Sequence, residues 1–159
     1  MARRGFSLSR QDNPVFLEFL RSTGHKTVAV WALDCAERVL PYFEGKYPAD
    51  GRPRNAIETL RSWIVTGVFR MAVIRNASLA SHAAAREVGD DNSARSAARA
   101  AGQAVATAHV PTHALGAANY ALQAVHRAAD PSEADGVVSR ERDWQRQHLF
   151  ELRDRSPAQ

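Results

Sequence analysis

Residues 94–129, ARSAARAAGQAVATAHVPTHALGAANYALQAVHRAA, spend fifteen of their thirty-six positions on alanine. A side chain that ends at Cβ loses no rotamer freedom on ordering, so the run is intrinsically helical, and its small faces let neighbouring helices approach closely. The stretch reads as the centre of a helical bundle. It sets His109 and His113 at i, i+4, one helical turn apart on one face. Pro111 between them either kinks one long helix or divides two, with Thr112 capping the second; a division or sharp kink is the expectation.

Working outward, the remaining chain follows the same helical period. Asn13 and Pro14 can cap and open a short helix carrying Val15, Phe16, Phe19 and Leu20, which Gly24 ends. From His25 to about Phe43, the residues Val28, Trp31, Ala32, Cys35, Val39 and Phe43 form one apolar stripe, while Asp34, Glu37 and Arg38 face elsewhere. Pro41 should bend or finish that helix, and 45–51 reads as a loop. Arg52-Pro53-Arg54 opens the next helix, whose apolar line runs Ile57, Leu60, Ile64, Val68 and Met71, with Gly67 able to split it. A further helix is expected from about Arg70 to Val88, and Asn92 supplies the N-cap of the alanine-rich segment. Asp130-Pro131-Ser132-Glu133 resembles another start, and Val138, Trp144, Leu149 and Leu152 mark a last amphipathic helix, frayed beyond Arg153. No alternating strand pattern survives, so the expectation is an all-α bundle of six or seven helices. It comprises a loose arm over 1–11, one helical domain over 12–155 and a disordered tail over 156–159.

Size and charge narrow the classes. A compact chain of 159 residues buries roughly 70% of its unfolded surface, enough for a core without staples. Cys35 is the single cysteine, so an internal disulfide and a multi-cysteine zinc site are excluded. The start MARRGFS lacks a secretory apolar stretch, and charges interrupt every candidate membrane span, so a cytoplasmic protein without membrane contact is expected. Lys and Arg number 21 against 17 Asp and Glu, a net +4. In the last helix Arg140, Arg142, Arg146, Arg153 and Arg155 alternate with Glu141, Asp143, Glu151 and Asp154, which reads as a solvated face and makes nucleic acid the least favoured partner.

Three constellations invite a chemical reading. His109 and His113, completed by His82 or His126, could make a nitrogen-rich metal site, but no carboxylate lies between Asp91 and Asp130 and no Glu-x-x-His pair or HExxH word exists. Histidines packed between helices, bonded to backbone or to Asp34, are the plainer reading, with no metal and no cofactor expected. Cys35 lies on the apolar stripe beside Trp31, and there a thiol packs as a small hydrophobe. Asp34 can pair with Arg38, or with Arg52 or Arg54 arriving from the loop, a structural ion pair before a catalytic one. Trp31, Trp63 and Trp144 each sit in an amphipathic segment as core fillers, although an exposed tryptophan would anchor a partner protein. No phosphate loop, GxSxG elbow or dinucleotide fingerprint is present.

The order of these residues resembles the immunity-five-like group of bacterial proteins described as immunity proteins of polymorphic toxin systems. The words that carry the resemblance are Trp31 to Pro41 (WALDCAERVLP), Asp50 to Ile57 (DGRPRNAI) with Trp63, Ser81 to Arg86 (SHAAAR), Ala98 to His109 extended through His113-Ala114, and Glu141 to Gln145 (ERDWQ). They span about Lys26 to Leu152. The resemblance implies an all-helical protein that binds a cognate toxin and blocks it, with no catalytic residue to carry over. Its candidates for structure or binding are Trp31, Asp34, Cys35, Arg38, Arg52, Arg54, Trp63, His82, His109, His113 and Trp144. The net basic charge does not suit a phosphate-mimicking nuclease inhibitor.

Two rival readings remain. One is a metal-dependent enzyme gathering Asp34, Cys35, His82, His109 and His113 around a pocket. The other is nucleic-acid binding through Arg52, Arg54, Arg61 and the basic arm. A homodimer through the small helix faces stays open.

Overall fold

A computed structural model describes residues 10–90 and 92–156, and among them it contains seven α-helices and no strand. In chain order these are α1 (Pro14–Arg21), α2 (His25–Glu44), α3 (Arg52–Thr66), α4 (Met71–Glu87), α5 (Ser93–Ala106), α6 (His113–Ala128) and α7 (Ala134–Arg155). The all-α architecture is the one expected.

The alanine-rich segment supplies the middle. In α5, Ala94, Ala97, Ala98, Ala100, Ala101, Ala104 and Val105 are all fully buried, so the helix is enclosed around most of its circumference. It packs against α2, α3, α4 and α6. Burial on so many sides is open to a helix whose side chains are this short, because each neighbour can settle close to its backbone. The bulk that fills the core comes from elsewhere, chiefly Trp31, Leu40 and Phe43 of α2, Ile57 and Leu60 of α3, Leu122 of α6 and Leu149 of α7. Small faces against large ones give interdigitation at interior density.

The helix ends follow local chemistry. Asn13 accepts the Phe16 amide, Asn92 accepts the Arg95 amide, and Pro14 and Pro53 occupy first-turn positions where a missing N–H costs nothing. Gly67 takes φ of 69° and donates its amide to the Trp63 carbonyl, ending α3 in a left-handed cap that only glycine adopts without strain. Pro41 does not finish α2, which runs on to Glu44, because a proline in the last turn removes a single ladder bond. Val15 of α1 points into solvent, so only Phe16 and Leu20 of that helix are buried.

Two sequence expectations need correction here. The apolar line of α3 does not continue through Val68 and Met71: the left-handed turn at Gly67 redirects the chain, and both side chains are exposed. Pro111 divides two helices, as expected, but α5 already stops at Ala106, leaving His109 in the connecting turn while His113 opens α6. The two imidazoles therefore do not share one helix face. Thr112 stands at the N-cap position of α6, yet its hydroxyl makes no capping bond.

The arm expected over 1–11 lies mostly outside the described residues, but its end is fastened. Gln11 is buried and binds Asn119 through its amide, the Arg142 carbonyl and Gln145 Oε1 through its side-chain nitrogen, and Arg146 through its side-chain oxygen. Gln145, also buried, donates to the Ala118 carbonyl, and its own carbonyl accepts Trp31 Nε1 at 2.8 Å. A polar knot thus joins residue 11 to α2, α6 and α7, and burial of these amides is stable because each is bonded. Of the tail, Ser156 bonds Thr27, and 157–159 lie outside the described residues.

Replacing fully buried Ala121 by leucine is expected to destabilise the protein by about 1–3 kcal/mol through overpacking, whereas leucine at exposed Ala128 changes stability by less than about 0.5 kcal/mol. Denaturant midpoints of Ala121→Leu and Ala128→Leu measure both. Equal midpoints would deny that close helix approach is needed.

Candidate functional site

The words read from the sequence fold against one another. At the α2–α7 seam Arg38 forms a two-armed bond to Glu141, 2.8 Å on each side, and its guanidinium lies 3.8 Å over the Trp144 ring. Trp144 stacks on His148, whose Nε2 is 2.7 Å from Asp34 Oδ2. Asp34 therefore pairs with His148, and not with Arg38, Arg52 or Arg54 as expected. The reason is register: His148 lies one turn beyond Trp144 on α7 and reaches Asp34 across the seam, while Glu141, a turn before Trp144, claims Arg38. Beneath this stack Trp31 and Cys35 are wholly buried, and burial, reinforced by the charges of Glu141 and Asp34, pushes the thiol well above its usual range. A protonated thiol without solvent access is not a nucleophile.

Arg52 and Arg54 are consumed by ion pairs. Arg52 binds Asp50 and Glu87, tying the loop before α3 to the end of α4. Arg54 binds Glu37 and Glu44, and Arg61 binds Glu37 and Glu58, so α3 is clasped to α2 by a shared carboxylate. These bonds hold the Glu44 and Asp50 carboxyls below the usual range. A phosphate backbone approaching Arg52, Arg54 and Arg61 would have to displace carboxylates already in place, which removes the basis of the nucleic-acid reading at those residues.

The histidines do meet, although on three different elements. His82 of α4, His109 of the turn and His113 of α6 line a cavity of about 250 Å³ together with Met71, Ile74, Arg75, Ser78, Leu79, Gln103 and Ala106. Arg99 donates to His82 Nδ1 at 3.0 Å, which leaves the proton of the neutral ring on Nε2. The ring lies so close to Gly102 that a Cβ there would stand 2.7 Å from Nε2. Gly116 likewise leaves space for Gln103, whose Oε1 accepts from His113 Nδ1 at 2.9 Å. Burial first, then the positive charges of Arg99 and Arg86, lowers the His82 pKa to about 4; burial and His109 lower that of His113. His126 does not line the cavity, and neither do Asp34 and Cys35, so the five-residue enzyme pocket is not assembled. Among the described residues no three His, Cys, Asp or Glu side chains are grouped so as to hold a metal ion. Ser78, the one hydroxyl lining the cavity, donates to the Gly102 carbonyl and bonds no imidazole.

What the cavity opens onto was not singled out by the sequence. Around the α3–α4 corner Val65, Val68, Phe69, Met71, Val73 and Leu79 are 43% to 78% exposed. Phe69 stacks on His109 at 6.0 Å, and Met71 and Leu79 form part of the cavity wall. On the other side of Ile74 a groove of about 340 Å³ is lined by Trp63, Val68, Arg70, Val73 and residues of α3. Trp63 itself is half-buried against His25, 5.0 Å between rings, and none of the three tryptophans stands exposed. The signal was present: in IVTGVFRMAVI, residues 64–74, there are more large apolar side chains than one stripe can bury.

The family described as "Imm-5 like putative immunity protein" matches residues 18–152. The chain belongs to that Imm-5-like family. Neither a curated protein nor a solved structure matches it. Among the described residues no helix is long and apolar enough to cross a membrane.

Because His82 takes up a proton at about pH 4 when folded and near 6.5 when unfolded, protons favour the unfolded chain across that window, and stability present above it is lost as pH falls. Urea midpoints should decline more steeply from pH 6.5 to 4 in the wild type than in His82→Gln. Parallel profiles would mean that the imidazole is not held neutral.

Proposed function

We propose that this member of the Imm-5-like family is a cytoplasmic, non-catalytic protein that binds a cognate toxin one to one and blocks it, and that the toxin docks on the α3–α4 corner. The observation that carries the reading is the exposed apolar face from Val65 to Leu79, bordered by a groove and a cavity that share Ile74. Exposed contiguous apolar side chains with adjoining pockets are what hot-spot recognition uses, whereas scattered ones are ordinary surface. Charge names the partner's rim. Arg70 and Arg75 flank the face, both exposed and neither paired with a carboxylate among the described residues, so the complementary surface carries an apolar projection ringed by Asp or Glu.

The rest of the molecule supports this division of labour. Trp31, Asp34, Arg38, Arg52, Arg54 and Trp144 all bond within the bundle, so the family words maintain the scaffold that presents the corner. The imidazoles form the floor of the adjoining cavity. Burial lowers the pKa of His82 and of His113, and in the neutral form these two rings offer hydrogen bonds without a desolvated charge to be matched.

Co-expression with candidate toxins from the same genome tests the proposal. Wild-type protein is expected to restore growth, and Phe69→Asp or Leu79→Asp to fail while retaining the wild-type circular dichroism and melting temperature, with affinity reduced by at least about 30-fold, equivalent to about 2 kcal/mol. Full protection by both variants would place the interface elsewhere. A shift from dimer to monomer in either variant without a toxin would assign the corner to a second copy of this chain.

A further inference from the structure

A second concavity lies on the α5–α6 side of the bundle, away from the corner. It measures about 380 Å³ and is lined by Arg95, Ser96, Arg99, Tyr120, Gln123 and Arg127. Its chemistry is unlike that of the other clefts: three guanidiniums, a phenol, a hydroxyl and an amide line it, and among the described residues no carboxylate does. Arg95 and Arg99 stand one turn apart on α5, both half-buried, an arrangement of like charges that a helix does not favour without a counter-ion. Arg95 makes no ion pair with any described residue, and Arg99 spends one nitrogen on the neutral His82 ring. Arg127 reaches across from α6 to donate to the buried Ser96 hydroxyl at 2.5 Å, which fixes it at the wall of the cleft. Arg38, Arg52, Arg54 and Arg61 are matched by carboxylates, whereas Arg95 and Arg99 are matched by none among the described residues.

We infer that this cleft binds a phosphoryl group, with Arg95 and Arg99 as the charge-bearing donors and Tyr120 and Gln123 as neutral ones. Guanidinium presents planar, paired N–H donors that suit the oxygens of phosphate, and rigid backbone behind them reduces the entropy lost on binding. The helix that carries Arg95 and Arg99 is the most enclosed in the molecule, so the donors sit on the least mobile element available. The cleft is distinct from Arg52, Arg54 and Arg61, whose charges are already answered, and from the α3–α4 corner.

Isothermal titration of the purified full chain at low ionic strength, with inorganic phosphate, adenosine 5′-monophosphate and acetate in separate runs, tests the inference. Phosphate is expected to bind with a dissociation constant of about 1 mM or tighter, weakened at least about tenfold in Arg95→Gln and in Arg99→Gln and unchanged in Arg140→Ala. Adenosine monophosphate binding at least about tenfold more tightly than phosphate would assign a phosphorylated small molecule as the source, and equal affinity would assign free phosphate. No heat with phosphate or the nucleotide at about 10 mM, acetate binding as well as phosphate, or binding that survives both substitutions together would overturn it. Because Arg99 also touches His82, the Arg95→Gln variant decides if Arg99→Gln fails to fold.

Discussion

The close burial of α5 is the constraint on which the rest of the structure depends. A helix enclosed by α2, α3, α4 and α6 has little room for side chains beyond Cβ, and the sequence answers with Ala94, Ala97, Ala98, Ala100, Ala101 and Ala104. Gly102 goes one step further and admits the His82 ring where even a methyl would collide. Short side chains bring little apolar area of their own, so the driving force for burial is borrowed from the aromatic and aliphatic residues of α2, α3, α6 and α7. The bundle is cohesive because one set of helices supplies closeness and the other supplies bulk.

Around that centre the polar residues serve mainly as ties. Trp31 and Gln145 join α2 to α7, Arg38 and Glu141 repeat the tie nearer the surface, Arg54 and Glu37 fasten α3 to α2, and Ser81 fastens α4 to the Ala98 carbonyl of α5. His25 bonds the Thr107 carbonyl at 2.6 Å, satisfying an acceptor where α5 runs out. Each recognisable word of the family is therefore answered by another word, which explains how a chain can belong to the family while the words themselves face inward. The exposed apolar side chains are found between them, in the corner after Gly67.

The helices were legible because alanine runs, proline starts and asparagine caps act locally. Asn92 before Ser93 and Gly67 after Thr66 mark their boundaries by conformational preference alone, without help from tertiary packing. The partner of Asp34 was not legible, since the choice between Arg38 on its own helix and His148 more than a hundred residues away is made by the register of α7 against α2. Gln11 was missed for the same reason: nothing local distinguishes a solvated glutamine from one that closes a polar knot. The histidines show both sides. Their approach to one another could be read from spacing, but the end of α5 at Ala106 moved His109 off the helix, and His82 arrived from another element. The apolar corner was visible as composition and invisible as surface, because the left-handed turn decides which of its residues face out.

Amide hydrogen exchange of the free protein tests the central claim most directly. The amides of 97–105 and 117–125 are expected to exchange only through global unfolding, with protection equal to the full stability measured by denaturant, while those of 65–73 exchange through far smaller openings. Exchange from the middle of α5 as fast as from the α3–α4 corner would contradict the account, for the scaffold would then have no rigid centre from which to present a face.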